Sequence, residues 1–213
     1  MVADPKRSRS TDPELPELPL EGEGFILAGG KSGRLGRDKA FLRYRGSPLI
    51  EIARRCLESV GLPVTIVADS RERFRSLGLP VLVDRVSGAG PLGAVFTALT
   101  ASRSRDNYFT PCDTPLVSPR LYRILARAGR DFDVVVPRDA EGGLHPLCAY
   151  YSRNAVDPIR RLLEAGARRV DSVLEAEGLR VHVLSAAEWN LPDEGFLNVN
   201  TPADWERLQR ISE

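Results

Sequence analysis

The densest concentration of chemistry-bearing residues lies in LAGGKSGRLGRDK, directly after the apolar run GFIL. Gly29, Gly30, Gly33 and Gly36 are interleaved with Lys31, Arg34, Arg37 and Lys39, against the single acid Asp38. Gly29 and Gly30 permit a tight turn whose backbone N–H groups face an anion, and the cations add the charge that a triphosphate demands. Two familiar phosphate loops fail on spacing. A GxxxxGK[ST] loop ending at Gly30-Lys31-Ser32 would put its first glycine at Phe25, and a GxGxxG fingerprint ending at Gly36 would need glycine at Lys31. What remains is a glycine-rich anion loop of a third type, with a solvated basic loop as the plain alternative. Only Lys6, Lys31 and Lys39 are lysines among 30 basic residues. Two of the three fall in this loop, where a compact ammonium acts as a point charge toward phosphate.

Two aspartates stand where strands should end: Asp84 after PVLV and Asp113 after YFTPC. Beside a phosphate loop, a strand-end carboxylate suits Mg²⁺, which is commonly held by one or two carboxylates together with substrate phosphates. Taken alone, either aspartate is more often a turn or capping residue. Asn198 and Asn200, in FLNVNTP, project to one face if that segment is extended, and otherwise serve as caps. Among the remaining reactive types, His145 before Pro146 in an apparent strand reads as structural or a ligand contact rather than a proton donor, and His182 as the solvent side of a strand. Cys56, Cys112 and Cys148 read as small buried residues.

The elements that must position these residues alternate along the chain. A buried strand at GFILAGG leads into a helix expected to start at Ser47-Pro48, with Ser47 as its cap and Leu49, Ile52, Ala53, Cys56, Leu57 and Val60 at helical spacing. Strands follow at VTIVAD and PVLVD, then a small-residue helix in GPLGAVFTALTAS and a strand in YFTPCD. A helix over Pro119 to Gly129, a strand in FDVVVP and a further strand in LHPLCAYY come next. Helical stretches at Ala155 to Ala165 and Val170 to Glu177, a strand at VHVLS and a helix entered at Thr201-Pro202 complete the pattern. Strands separated by helices call for an α/β fold with a mainly parallel sheet. In such sheets ligands bind beyond the carboxyl ends of the strands, where the loop and both aspartates fall.

Composition narrows the function classes. The 213 residues suffice for one large domain. No apolar run approaches the roughly 20 residues needed to span a bilayer, so no membrane partner is expected. A net charge of +1 lacks the basic excess of a nucleic-acid binder. Locally the loop carries roughly +3, a concentration suited to a small triphosphate. Three cysteines without a CxxC pair argue against a disulfide framework or zinc site, and with no secretory signal the expected compartment is the reducing cytoplasm. Residues 1–23, rich in Pro, Asp, Glu, Arg and Ser, read as a flexible tail, and 24–213 as a single domain.

LAGGKSGRLGRDKAFL, GAGPLGAVFTAL, PCDTPLVSP, GGLHPL, ARRV and FLNVNTPADW occur in the order and approximate spacing of the molybdenum cofactor guanylyltransferase family, which this chain resembles from Gly24 onward. The resemblance implies a Rossmann-like nucleotidyltransferase fold, three-layer α/β/α with a mainly parallel central sheet. It implies transfer of GMP from GTP to the phosphate of molybdenum-molybdopterin, with release of pyrophosphate. Matched by motif, Leu27, Ala28 and Gly29 contact the nucleotide, Lys39 the phosphates and Asp84 the GTP, while Asp113 binds Mg²⁺ close to GTP. Arg34, Gly93, Asn198 and Asn200 match further active-site positions, the two asparagines toward the pterin. LAGG in place of the LAAG of cytidylyltransferase relatives, together with GPLG, favours guanine. The chain departs from the family at Gly33, where a basic residue is common, and at Leu35, where methionine is usual. Ala68-Asp69 occupies the region of a nucleotide-contacting asparagine, so Ala68 receives no role. Insertion chaperones for molybdoenzymes are the further partners the resemblance implies.

The chemistry so implied is in-line attack of a molybdopterin phosphate oxygen on the α-phosphorus of GTP. That nucleophile is already ionised near neutral pH, so positioning and charge neutralisation by Lys39, Arg34, the loop amides and Mg²⁺ held on Asp113 suffice. Cys112 is not needed as a nucleophile. A sugar-phosphate nucleotidyltransferase would share the opening loop and the aspartate, but GGLHPL and FLNVNTP weigh against it. A non-catalytic GTP-binding protein is disfavoured by Lys39, Asp84 and Asp113 standing together.

Overall fold

The computed structural model describes residue 15 and residues 18–29, 38–84, 89–189 and 193–211. Its strands are β1 (Glu23–Leu27), β2 (Arg43–Tyr44), β3 (Ser47–Pro48), β4 (Val64–Ala68), β5 (Val81–Val83), β6 (Asp106–Pro111), β7 (Val134–Arg138), β8 (Tyr150–Ser152) and β9 (Val181–Ser185). The helices are α1 (Leu49–Glu58), α2 (Gly90–Ala101), α3 (Pro119–Ala128), α4 (Val156–Glu164), α5 (Ala186–Trp189) and α6 (Pro202–Arg210). Seven strands form one sheet in the order β5-β4-β1-β6-β8-β7-β9, and β2 pairs with β3 in a separate two-stranded ribbon. The pairs β4–β5, β1–β4, β1–β6 and β7–β9 are parallel, while β8 runs antiparallel to both of its neighbours.

Alternation along the strands produces the three layers. In β1, Ile26 joins Ile66, Tyr108 and Tyr150 on one face, where α1 and α3 pack through Ile50, Leu57, Leu121 and Leu125. Phe25 and Leu27 point the other way, joining Val67, Phe109 and Tyr151 beneath Leu92, Val95 and Leu99 of α2 and Ile159 of α4. The mainly parallel α/β/α architecture expected from the sequence is thus present. No helix among the described residues is long and apolar enough to cross a membrane.

Four local readings need correction. Ser47 does not cap α1: it sits in β3 opposite Tyr44, and the first helical amide, Leu49 N–H, donates instead to the Leu42 carbonyl at 2.9 Å. The LHPLCAYY segment is mostly turn, with Leu144 bridging Arg138 and β8 beginning only at Tyr150. The helical stretch expected over Val170 to Glu177 is a 3-10 helix that ends earlier, spanning Val170–Glu175. His182 is half-buried, stacked on Phe132 at 4.8 Å and hydrogen-bonded to Glu188. In addition, packing reaches back before β1: Leu20 is buried, and its N–H donates to the Val60 carbonyl at 2.8 Å.

Candidate active site

The strand ends converge on a cleft of about 330 Å³ lined by Leu27, Ala28, Gly29, Lys39, Asp84 and Asp113, among others. That volume lies near the lower end of the ~300–1,000 Å³ usual for small-molecule sites. The convergence follows from register. Parallel pairing of β1 with β4 and β6 aligns their carboxyl ends, and two further backbone bonds, Ala28 N–H to Val67 O at 2.9 Å and Cys112 N–H to Leu27 O at 3.0 Å, carry the ladder to the rim.

Lys39 is the meeting point. Its Nζ donates to Asp113 Oδ2 at 2.7 Å and to Asn200 Oδ1 at 2.6 Å. Lys39 opens a 3-10 turn, Lys39–Phe41, capped by Asp38, whose Oδ1 accepts from Ala40 N–H at 3.1 Å. Asp38 is in turn gripped by Arg73, with Nε on Oδ2 and Nη2 on Oδ1, both at 2.5 Å. This guanidinium holds the Asp38 carboxyl below the ordinary carboxylate range, its hydrogen bonds outweighing the opposing effect of burial.

Asp84 continues the ladder beyond β5, its N–H donating to Ala68 O at 2.9 Å, and its Oδ1 accepts from the Thr97 hydroxyl of α2 at 3.0 Å. The start of α2 supplies Gly90, Pro91 and Ala94 to the cleft wall. Gly90 has φ +61 and would carry a Cβ 3.0 Å from the Arg168 carbonyl, so a side chain there would be strained in conformation and crowded by that carbonyl. Gly93, three residues after Gly90, is buried and is not among the lining residues.

The asparagines arrive by a different route. Val199 is fully buried with Tyr44, Leu49 and Leu208, and its N–H donates to the Asp113 carbonyl at 2.9 Å. Its neighbours Asn198 and Asn200 are therefore exposed on the opposite face, as their alternate spacing suggests; Asn198 lines the cleft and Asn200 touches Lys39. A capping box between Thr201 and Asp204 starts α6 at once and fixes the exit of the segment. Its entry is fixed by Phe196, whose ring stacks on His145 with centroids 3.9 Å apart and planes 8° from parallel. His145 Nε2 lies 2.7 Å from Asp139 Oδ2, and the other Asp139 oxygen accepts from Gly143 N–H at 2.7 Å. His145 thus packs and orients, outside the cleft lining, and in a turn rather than the expected strand.

Of the residues singled out in the sequence, Leu27, Ala28, Gly29, Lys39, Asp84, Asp113, Asn198 and Asn200 are brought to one cleft or its edge. Arg34, with Lys31 and Arg37, lies outside the described residues. Arg73, Thr97, Asp139 and Phe196 were missed. Arg73 sits in SRERFRSLG, where arginines alternate at 71, 73 and 75 without marking one of them, and Thr97 is a small polar residue in a helix of small residues. Cys112 borders the cleft, but burial first, and then neighbouring Asp113, pushes its thiol up to about 12. It is not a thiolate nucleophile at neutral pH.

A model of the MobA-like NTP transferase domain matches residues 24–181. The chain is 34% identical over 187 residues to the "probable molybdenum cofactor guanylyltransferase" of Carboxydothermus hydrogenoformans, covering 87% of this chain and 94% of that protein. It is also 34% identical over 194 residues to the protein of the same name from Pyrococcus furiosus, covering 87% and 95%. The crystal structure of molybdopterin-guanine dinucleotide biosynthesis protein A from Archaeoglobus fulgidus shares the fold, with a TM-score of 0.74, 23% identity and coverage of 89% of this chain and 98% of that one. Family match and relatives agree along most of the chain: it belongs to the MobA-like NTP transferase family and is a nucleotidyltransferase of molybdenum cofactor biosynthesis.

Proposed function

We propose that the enzyme transfers GMP from GTP to the terminal phosphate of molybdenum-molybdopterin, releasing pyrophosphate. The observation that carries this reading is Lys39 held between Asp113 and Asn200, which joins the strand-end nucleotide side of the cleft to the NVNTP segment. The names of the relatives support the same substrates. A Cβ at Gly29 would meet none of the described residues within 4 Å, so packing against those residues does not demand glycine there, and the space suits close approach of a nucleotide to the backbone.

The donor set fits Mg²⁺. Asp113 offers a hard carboxylate oxygen in the cleft, and its ion pair with Lys39 supports reading the position as one that attracts positive charge. Among the described residues no three His, Cys, Asp or Glu side chains cluster as a self-sufficient metal site. The chain's share would then be Asp113, with substrate phosphates completing the shell, as is common for Mg²⁺. Bound there, Mg²⁺ supplies positive charge to the phosphate oxygens.

In the reaction, an oxygen of the acceptor phosphate forms the new bond to the α-phosphorus while the bond to the β-phosphate bridging oxygen breaks, its electrons leaving with pyrophosphate. Lys39 and Arg34 neutralise developing charge, Leu27 to Gly29 and Asp84 hold the nucleotide, and Asn198 and Asn200 orient the acceptor. Three unpaired thiols accord with work in a reducing cytoplasm, where handover to insertion chaperones would follow.

The test is mass analysis after incubation with GTP, Mg²⁺ and molybdenum-loaded molybdopterin, beside parallel reactions with CTP or with sugar 1-phosphates. A guanine dinucleotide product formed only with the pterin is expected. Product with a sugar phosphate instead would replace the acceptor assignment.

A further inference from the structure

Arg73 has no part in the scheme above, yet it lines the cleft and is heavily engaged within the protein. Its Nε and Nη2 hold both oxygens of Asp38, and its Nη1 donates to the Ala28 carbonyl at 3.1 Å and to Asp69 Oδ1 at 3.2 Å. Four of the five N–H bonds of a guanidinium are thereby spoken for within the protein. Two carboxylates face this one cation, so its charge is already neutralised and it is poorly suited to serve as a spare phosphate ligand. A planar fork that satisfies a carboxylate bidentately while reaching a backbone carbonyl is geometry that lysine cannot reproduce.

What the fork holds is the chain on either side of the glycine-rich segment: Ala28 before it and Asp38 after it. The next residue makes a second grip. Phe74 is fully buried and stacks on Phe41 with centroids 5.7 Å apart and planes 22° from parallel. Arg73 and Phe74 therefore seize Asp38 and Phe41, the residues that bracket Lys39 and Ala40. The Arg73 guanidinium also lies over the Phe74 ring at 4.8 Å, which couples the two grips.

We propose that Arg73 is a positioning residue of the transfer site, acting through Asp38 to set where the Lys39 ammonium stands. The inference rests on the proposed role of Lys39 toward phosphate. It assigns a job to a segment, Glu72–Leu77, whose sequence shows no motif. A misplacement of about 1 Å in a catalytic group costs on the order of 100-fold, so a clamp one residue away from Lys39 has ample leverage.

The test compares Arg73→Gln, Arg73→Lys and Asp38→Asn, each made in the wild-type chain and in Lys39→Ala. In the wild-type background, Arg73→Gln is expected to lower kcat for GMP transfer by roughly 10- to 100-fold, with Asp38→Asn following it and Arg73→Lys recovering only a few-fold. In Lys39→Ala the same substitutions should cost less than about 2-fold, because the group being positioned is gone. Equal losses in both backgrounds, or a folded Arg73→Gln with wild-type kcat, would overturn the proposal. Amide hydrogen exchange provides a readout that needs no substrate. Arg73→Gln should speed exchange at Ala40, Phe41 and Leu42 while leaving α3 protected, and unchanged exchange at those three amides would also overturn it. If the wild-type enzyme makes no guanine dinucleotide, the substrate reading fails by itself, and the exchange experiment still judges the clamp.

Discussion

The two ends of the sheet build their share of the cleft by different means. On the β5-β4-β1-β6 side, every pairing is parallel and the residues facing the cleft follow directly from strand ends: Ala28 after β1, Asp84 after β5, Asp113 after β6. On the β8-β7-β9 side, the antiparallel β8 turns one strand end away from the cleft, and that side contributes a His145–Phe196 stack which steadies Asn198 and Asn200 from outside. The first side positions groups by the backbone ladder, the second by side-chain packing onto a loop. Ladder-held groups tolerate little movement, whereas a packed loop can be loosened without unfolding the sheet.

This division ranks the effects of substitution. Asp113→Ala removes the carboxylate that the ladder delivers and the ion pair it makes with Lys39, so kcat should fall by roughly 100-fold or more and the dependence on Mg²⁺ concentration should change. Full activity with unaltered Mg²⁺ dependence would show that the metal is not held there. Asn200→Ala should raise KM for the pterin acceptor by about 10-fold, the scale of one hydrogen bond to a charged group, and KM for GTP by much less. Thr97→Val should do the reverse, raising KM for GTP by about 5-fold through a loosened Asp84 while the acceptor constant holds. If these two variants moved the same constant, the two-sided description of the cleft would collapse.

The smallest effects are expected at the packed clasp. His145→Ala should raise acceptor KM by about 3-fold, in line with the loss of one aromatic stack, and leave GTP binding alone. Acid should act on the same clasp. Burial pushes the Asp139 carboxyl up, but hydrogen bonds from His145 and the Gly143 amide outweigh it and hold the carboxyl below the ordinary carboxylate range. A group lowered in the folded state stabilises the fold above its unfolded pKa, and that contribution fades as pH drops through the folded value. Wild type should therefore melt higher than Asp139→Asn at pH 6, and the gap should start to shrink near the ordinary carboxylate value of about 3.9 and close as pH falls through the lowered folded value. A gap that persisted in acid would mean that the clasp does not depend on the ionised carboxylate.

How much of this was legible follows the same division. Asp84 and Asp113 announce themselves because each ends an apolar run, and the alternation of strands and helices sends those ends to one edge. Lys39 stood out within a glycine-rich, cationic stretch. Asn198 and Asn200 were legible as a pair because alternate positions share a face, with Val199 buried between them. Arg73 was not, since its value depends on Ala28, Asp38 and Asp69 arriving from separate elements. Nor was the failure of Ser47 to cap α1. Serine before proline is a sound start signal, yet the Leu42 carbonyl reaches the first helical amide before any side chain is required. The turn at His145-Pro146 was hidden by neighbouring apolar residues whose spacing imitates a strand.

The Lys39 junction has a kinetic consequence. Its partners lie 74 and 161 residues away along the chain. Closing the longer loop rather than the shorter costs only about 0.6 to 0.7 kcal/mol more, because loop entropy grows with the logarithm of length. Remote partners therefore slow assembly far more than they weaken the finished protein. In a refolding experiment, helical signal and core burial would return first. Catalytic competence would come last, as a report that three distant stretches of chain have all found their places.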